Sequence, residues 1–426
     1  MNQMRAGGRG LAIVGAGPAG LSAARLLRQR GAGPVTVFEA QSRIGGKSLS
    51  ISHQGIMHDL GTCFSSLAHR TTNRWMREMG ISQVTLGKQM VDGRPFMEFV
   101  RSGPGPSLAI EGARYLALWQ SHMAAVAARR DDPDVIATSA MSIGEWLDKN
   151  RFVRVKRFML RAITTMGYGF LDEVTALQAM RWCTPALIAS GMFSQLKMPV
   201  EGWQTFWERL ALELDVHVGE PVEGVERDSG GVTLTTRTGV YRFGQVLITV
   251  PLDEAARFMA LTERERFVRD SILWGGYTTT LCSVDKWFRD YDTESYTAAL
   301  AAGAQAGRML GVRRILNAGD REDAHHLYIA GQYSGANPDS VLAEKLAQDV
   351  NALGAKFESV VAQRTWKYFP RYRSEAIRAG LLREMASVQG EARTWYSGAT
   401  FSHEAVSNIV AFNHGLVRRI APALAA

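Results

Sequence analysis

The sequence predicts an α/β fold, and three observations carry that prediction. Residues 11–39 read as strand, helix, strand; residues 107–198 are dominated by helical patterning; and from residue 216 onward short β-branched runs recur between turn residues. At 426 residues the chain is longer than one compact core usually serves, so two or three domains are expected.

Residues 11–15 form an apolar strand, 18–30 an apolar-periodic helix, and 35–39, Val-Thr-Val-Phe-Glu, a second strand. Together they make a βαβ unit. Residues 71–79 read as a helix ended by Gly80, and Gly103-Pro104-Gly105-Pro106 as a loop. A long helical run covers Leu108 to Arg129. Ser142 and Glu145 have capping-box spacing, and Asp172 to Trp182 continues the helical pattern up to Pro185. Residues 203–214 predict a helix. Strands are expected over 216–219, Pro221–Val225, Val232–Thr236 and Val246–Val250. A second capping box, Thr262 to Glu265, opens a helix, and strands follow over 277–284 and 327–333. A helix at 339–353 closes at Gly354. The chain ends with a strand at Thr394–Ser397, Gly398, and a helix over about 404–420.

Gly15-Ala16-Gly17-Pro18-Ala19-Gly20 is a G-x-G-x-x-G turn between the first strand and helix. Gly15 permits the tight turn, Gly17 lets backbone approach a pyrophosphate, and Gly20 lets the helix pack against the sheet. The helix N-terminus offers free N–H groups and the positive end of its dipole to phosphate. Glu39, with Ala40 after it, ends the second strand about twenty residues on, where an acid binds ribose hydroxyls. In this context the turn predicts a Rossmann-like dinucleotide site. Arg43-Ile44-Gly45-Gly46-Lys47 follows directly. Its paired glycines permit close backbone approach, and its cations Arg43 and Lys47 can neutralise a pyrophosphate.

The Arg43–Lys47 loop resembles the R-x-G-G-R/K loop of the amine-oxidase-like FAD superfamily. Met57 to Thr62 is similar to that superfamily's next segment, which lies along the flavin ring; Gly61 and Thr62 would border it. Pro221–Val225 resembles the strand whose backbone meets the adenine, at Val222, and Leu247–Pro251 the strand leaving the FAD domain. Trp395–Ala399 resembles the C-terminal cofactor segment, at Gly398 and Ala399. The superfamily usually has an acid after that glycine, bonding the ribityl chain; this chain has Ala399, which implies one hydrogen bond fewer. Thr165-Met-Gly-Tyr-Gly-Phe170 and Gln363 to Pro370, with Ser374-Glu375 and Ala379-Gly380 beyond, resemble the bacterial polyunsaturated fatty acid double-bond isomerases. The likeness thins at 85–135 and 290–325.

The resemblance implies a Rossmann-like FAD-binding domain, a mixed β-sheet substrate domain and a helical cap. On it the FAD domain comprises 1–85, 201–252 and 386–426, the substrate domain 86–106 and 253–385, and the cap 107–200. It implies FAD as cofactor and an isomerase or oxidoreductase of an unsaturated, apolar, acidic small molecule, free or carrier-bound. In such isomerases the flavin takes a hydride from an activated methylene and returns it at another carbon, so no strong general base is needed. Lys88 falls near the position where those isomerases place a cation for the carboxylate. Tyr168 lies in the matched motif, and Phe193 and Trp203 are candidates for an apolar tunnel. The rival is a flavin amine or amino-acid oxidase, or a desaturase, of the same fold. A flavin-binding partner without catalysis is motivated by Ala399 alone.

Bulk properties bound these readings. The formal charge is +8, which favours anionic partners. Without a nucleic-acid-reading motif it gives no nucleic-acid function. Arg154, Arg157 and Arg161 share a face if 151–161 is helical. That face is either solvated or a docking surface for an acidic carrier or a fatty acid carboxylate. No run of eighteen apolar residues occurs, so no integral membrane span is expected. The lead from Met1 to Gly10 is too short for a signal peptide. Cys63, Cys183 and Cys282 are far apart, giving neither disulfide framework nor metal site and fitting a cytoplasmic protein.

Overall fold

In the computed structural model, which describes residues 4–6, 10–319 and 321–425, the chain builds two main sheets and a helical layer. Most of the lead from Met1 to Gly10 lies outside the described residues. A five-stranded, all-parallel sheet runs in the order Asp215–Val218, Val35–Glu39, Leu11–Val14, Gln245–Ile248, Thr394–Tyr396. Its strands come from three distant stretches of chain. Their side chains alternate between two cores: Leu11, Ile13 and Leu247 point into one, and Ala12, Val14, Val246 and Ile248 into the other. Both faces are covered, as a parallel sheet requires. One face carries the helices Pro18–Gln29, Trp203–Ala211 and Val406–Ala425; the other meets a four-stranded sheet formed by Met4–Ala6, Val240–Phe243, Gly231–Thr236 and Val222–Asp228.

The second main sheet has seven strands, in the order Lys356–Tyr372, Ile272–Asp285, Leu327–Tyr333, Met309–Arg314, Thr293–Ser295, Gln89–Val91, Arg94–Pro95. It is mixed: Thr293–Ser295 pairs parallel to Gln89–Val91 and the other neighbours are antiparallel. The helices between Phe96 and Met192 pack against one another in a separate aromatic core. The expected mixed α/β architecture is therefore present.

Three local expectations change. The strand expected at 277–284 runs over Ile272–Asp285, because it pairs along nearly its whole length with Lys356–Tyr372. The helix expected from Asp172 begins at Ala176, where the Thr175 hydroxyl accepts from the Gln178 N–H and fixes the start. The basic stretch 151–161 does not present a free face. Arg154 pairs with Glu111 and donates to the carbonyls of Arg101, Gly103, Pro104 and Pro106. Arg157 donates to the carbonyls of Phe99 and Ser102. Both cations thus fasten the Gly-Pro loop. Arg161 continues into a π-helical turn, Leu160–Thr164, and points inward.

The capping box at Thr262 forms in full: the Thr262 hydroxyl accepts from Glu265 N, and Glu265 accepts from Thr262 N. Glu265 is completely buried and also takes bonds from Arg227 and from the Tyr396 hydroxyl. One carboxylate thereby caps a helix and holds the last parallel strand just before Gly398. Removing it strands the mostly buried Arg227 cation. Glu265→Ala is expected to lose about 3–5 kcal/mol of unfolding free energy in guanidinium titrations, and Glu265→Gln distinctly less.

Candidate active site

The five-stranded sheet brings its C-terminal strand ends, and the turns that follow them, to one edge. At Gly17 an added Cβ would meet only the Gly46 Cα, at 3.7 Å; at Gly46 it would meet the Gly17 Cα at 3.0 Å. The two glycine turns therefore face each other as bare backbone. Gly15, at φ +106°, packs on the Thr249 hydroxyl, and Gly20 has no room for a side chain because a Cβ would overlap the Gly15 carbonyl. Gly398, at φ +103°, lies against Thr249 O and Ala19. Asn413, fully buried on the last helix, locks this corner: it donates to Ala19 O and Ser22 Oγ, both 2.8 Å, and accepts from Ser397 Oγ at 2.5 Å. Sequence reading missed Asn413, since a lone helical asparagine carries no motif.

The helix at Pro18 has no side-chain cap and no acid in its first turn, leaving its N-terminal dipole uncompensated. Glu39 is held rigid by the N–H groups of Ala16 and Gln41, both at 2.8 Å. Glu220 N donates to Glu39 O, which brings the start of the Val222 strand alongside Glu39 and Ala40. Arg43 donates one Nη to Gly46 O at 2.7 Å and buries the other without a partner; burial lowers its pKa. An open glycine cradle, a bare helix start, a fixed carboxylate and an orphaned guanidinium nitrogen fit a dinucleotide's phosphates and ribose. Lys47 differs from its expected role. It turns away from the phosphate turn to pair with buried Glu404 at 2.9 Å and lies 5.1 Å from the Tyr368 ring centroid and 5.5 Å from that of Trp274. Gly61 is required by its own packing, a Cβ there overlapping Lys47 O, and Thr62 bonds Ser48. Ala399 is half-buried behind Gly398.

Lys47 and Glu404 lead into an aromatic cluster. Tyr168 stacks on Tyr368 at 5.7 Å and meets Phe369 and His403 at 4.8 Å; Trp182 lies parallel to His403 at 5.7 Å. Tyr277 joins at 5.7 Å from Tyr368. Burial pushes the phenols of Tyr168, Tyr277 and Tyr368 upward and the Cys63 thiol to about 11. It pushes His403 down to about 3 and His69 to about 4. These groups stay neutral near pH 7. Beyond Trp182 opens a chamber walled by Phe64, Leu86, Phe96, Phe158 and Leu187, with Arg161 in its lining.

The substrate-side expectations divide. Tyr168 lies in the cluster. Phe193 is 67% exposed at a helix end and is not part of the chamber lining. Trp203 is fully buried among Trp75, Phe206 and Trp207, a core side chain fixed because its helix packs on the parallel sheet. Lys88 is exposed and pairs with Asp290 at 3.5 Å, so its ammonium stays in solvent. Trp182, His403 and Glu404 acquire their positions only through the fold.

Residues 18–367 match the family described as flavin containing amine oxidoreductase, and the chain belongs to that family. Its cofactor is FAD, and it is an FAD-dependent enzyme. A putative flavin-containing monoamine oxidase of Mycobacterium tuberculosis is 29% identical over 259 residues, 56% of each chain. A polyenoic fatty acid isomerase of Ptilota filicina is 24% identical over 206 residues, 42% of this chain and 41% of that one. The chain thus spans about half the length of these relatives. The solved CLA-producing fatty acid isomerase from P. acnes superposes with TM-score 0.81 at 21% identity, covering 96% of this chain and 98% of that one. Among the described residues no helix is long and apolar enough to cross a membrane.

Two outcomes test this site. Gly17→Ala is expected to fold normally, having space for the methyl, yet to purify with much less FAD; Gly20→Ala is expected to misfold. Full FAD stoichiometry in folded Gly17→Ala would place the phosphates elsewhere. The buried histidines bear on pH. Their folded pKa values lie below the unfolded value of about 6.5, so neutral burial stabilises above that value and the contribution is lost as pH falls toward 4. His69 and His403 together should give about 2.4 kcal/mol per pH unit of acid destabilisation between pH 6 and 4.5. In denaturant titrations over that range, His69→Gln should reduce the slope by about half of that amount.

Proposed function

We propose that the enzyme acts on an unsaturated apolar acid and moves a double bond, with no net oxidation of the product. One observation carries this reading: the phenols of Tyr168, Tyr277 and Tyr368 and the imidazole of His403, between the cofactor turns and the chamber, are held neutral by burial, and most of the chamber wall is hydrocarbon and aromatic. In such a site neutral phenols and a weakly basic imidazole are poor proton acceptors at neutral pH. Its Glu404 carboxylate is buried, tied to Lys47, and shifted upward by burial. When bound, FAD supplies a reversible hydride acceptor.

The chain's own residues supply the surroundings. Tyr168, Tyr368 and Trp182 cluster there, and the π faces of such rings favour positive charge as it develops on a carbon skeleton, whereas their edges do not. Lys47 lies 5.1 Å from the Tyr368 ring centroid and is already paired with Glu404. Phe64, Leu86 and Phe158 exclude water and give an alkyl chain an apolar path. The likeness to the P. acnes and Ptilota filicina isomerases supports this reading; the likeness to the monoamine oxidase supports the rival.

A polyunsaturated fatty acid deuterated at its doubly allylic methylene separates the two. The expected product has unchanged mass and carries the label at a new carbon, with no peroxide. Stoichiometric peroxide, or a product two mass units lighter, would make the enzyme an oxidase or desaturase.

A further inference from the structure

Arg161 is the cation that the chamber does not neutralise. Its Nε donates to Ser295 Oγ at 3.2 Å and one Nη to Thr293 Oγ1 at 3.0 Å, both uncharged partners. The guanidinium carbon sits 4.7 Å from the centroid of Phe96. Among the described residues Arg161 makes no ion pair, and its other Nη makes no hydrogen bond. Several other inward-turned arginines are provided for differently. Arg25 pairs with Glu78 and Glu213, Arg154 with Glu111, and Arg227 with Glu265. Arg313 donates to Asp59 O, with the Asp59 carboxylate nearby.

The local structure keeps acids away from Arg161. On the strand Thr293–Ser295, alternation turns the two hydroxyls toward Arg161 and Glu294 to the opposite side, where it accepts from Gly93 N and the Tyr291 hydroxyl. The π-turn at Leu160–Thr164 adds a residue to the helical winding and re-aims Arg161 out of line with Arg154 and Arg157. Arg161 is half-buried, its guanidinium on the chamber lining has no counter-charge, and an anion that enters beside it gains a charge-assisted contact. Burial lowers the Arg161 pKa only to about 10, so the cation persists at neutral pH. The planar fork, two of its nitrogens fixed by hydroxyls, is suited to a carboxylate.

We propose that Arg161 is the anion subsite of the chamber: it holds the carboxylate of a long-chain acid while the alkyl chain lies along Phe64, Leu86 and Phe158 toward Trp182. This rests on the reading of the substrate as an apolar acid, but not on the reaction it undergoes. It gives the headgroup role to a residue of the helical layer and removes it from Lys88.

Binding of unreactive ligands tests it apart from turnover. The FAD-loaded enzyme is titrated calorimetrically with a saturated C18 fatty acid and with its methyl ester, both below their critical micelle concentrations. The wild type should bind the acid at least tenfold more tightly than the ester. Arg161→Gln, which keeps two hydrogen-bond donors, should lose on the order of 10- to 100-fold in affinity for the acid, the worth of a charge-assisted hydrogen bond, and less than threefold for the ester. Arg161→Lys should fall between and serves if the glutamine variant fails to fold. Equal losses for acid and ester would make Arg161 a structural residue. Unchanged acid binding, or a wild type that does not discriminate acid from ester or binds neither, overturns the proposal. Peroxide release or an oxidised product from an unsaturated acid would overturn the isomerase reading and leave this subsite standing.

Discussion

Everything in the site depends on two bare backbone turns meeting across the end of a parallel sheet. Gly17 and Gly46 face each other with no side chain between them, and the helix behind Gly17 starts without a cap or an acid. Neither feature stabilises the fold by itself: glycine costs conformational entropy, and an uncapped helix start leaves N–H groups unsatisfied. The structure tolerates both because its surroundings are over-determined. Gly20 and Gly15 interlock with the helix and Thr249, and Asn413 ties the helix, Ser397 and the Gly398 turn into one rigid corner. The opening left in that corner is what a pyrophosphate needs.

From this corner the chain changes chemistry over a short path. Lys47 and Glu404, each just beyond a cofactor turn, neutralise one another. Past them come tyrosines, a tryptophan and a histidine whose burial favours their uncharged forms, and then hydrocarbon. Polarity falls from the phosphate end to the chamber, and Arg161 interrupts that gradient with a charge. A gradient of this kind sorts ligands by charge as much as by shape, because each unpaired charge costs most where the surroundings are least polar.

The first half of the cofactor site was legible because its requirements are local. Glycines at fixed spacing, a strand before, a helix after and an acid on the next strand all fall within thirty residues, and the structure places them as a unit. The capping box at Thr262 was legible for the same reason. The substrate side was not. Trp203 and Phe193 were plausible pocket residues by type, yet one lies at 0% exposure inside the core and the other at 67% on the surface. An aromatic residue in a sequence does not say which side of a wall it occupies. Arg161 was visible only as a member of a basic run. Its separation from Arg154 and Arg157 comes from a π-turn and from a strand more than 130 residues away.

Local sequence was enough for the βαβ unit, the phosphate turn and a dinucleotide as ligand, since these are set by backbone conformation and by contacts between neighbours along the chain; FAD in particular came from the family resemblance. Tertiary structure alone decided which cations are paired and which are free. Lys47 was turned to Glu404, 357 positions away in sequence, Lys88 was left in solvent, and Arg161 was enclosed without an acid. The physical reason is that a charge takes its meaning from what surrounds it in space. Desolvation and Coulomb attraction both depend on distances that the fold creates between residues with no relation in sequence.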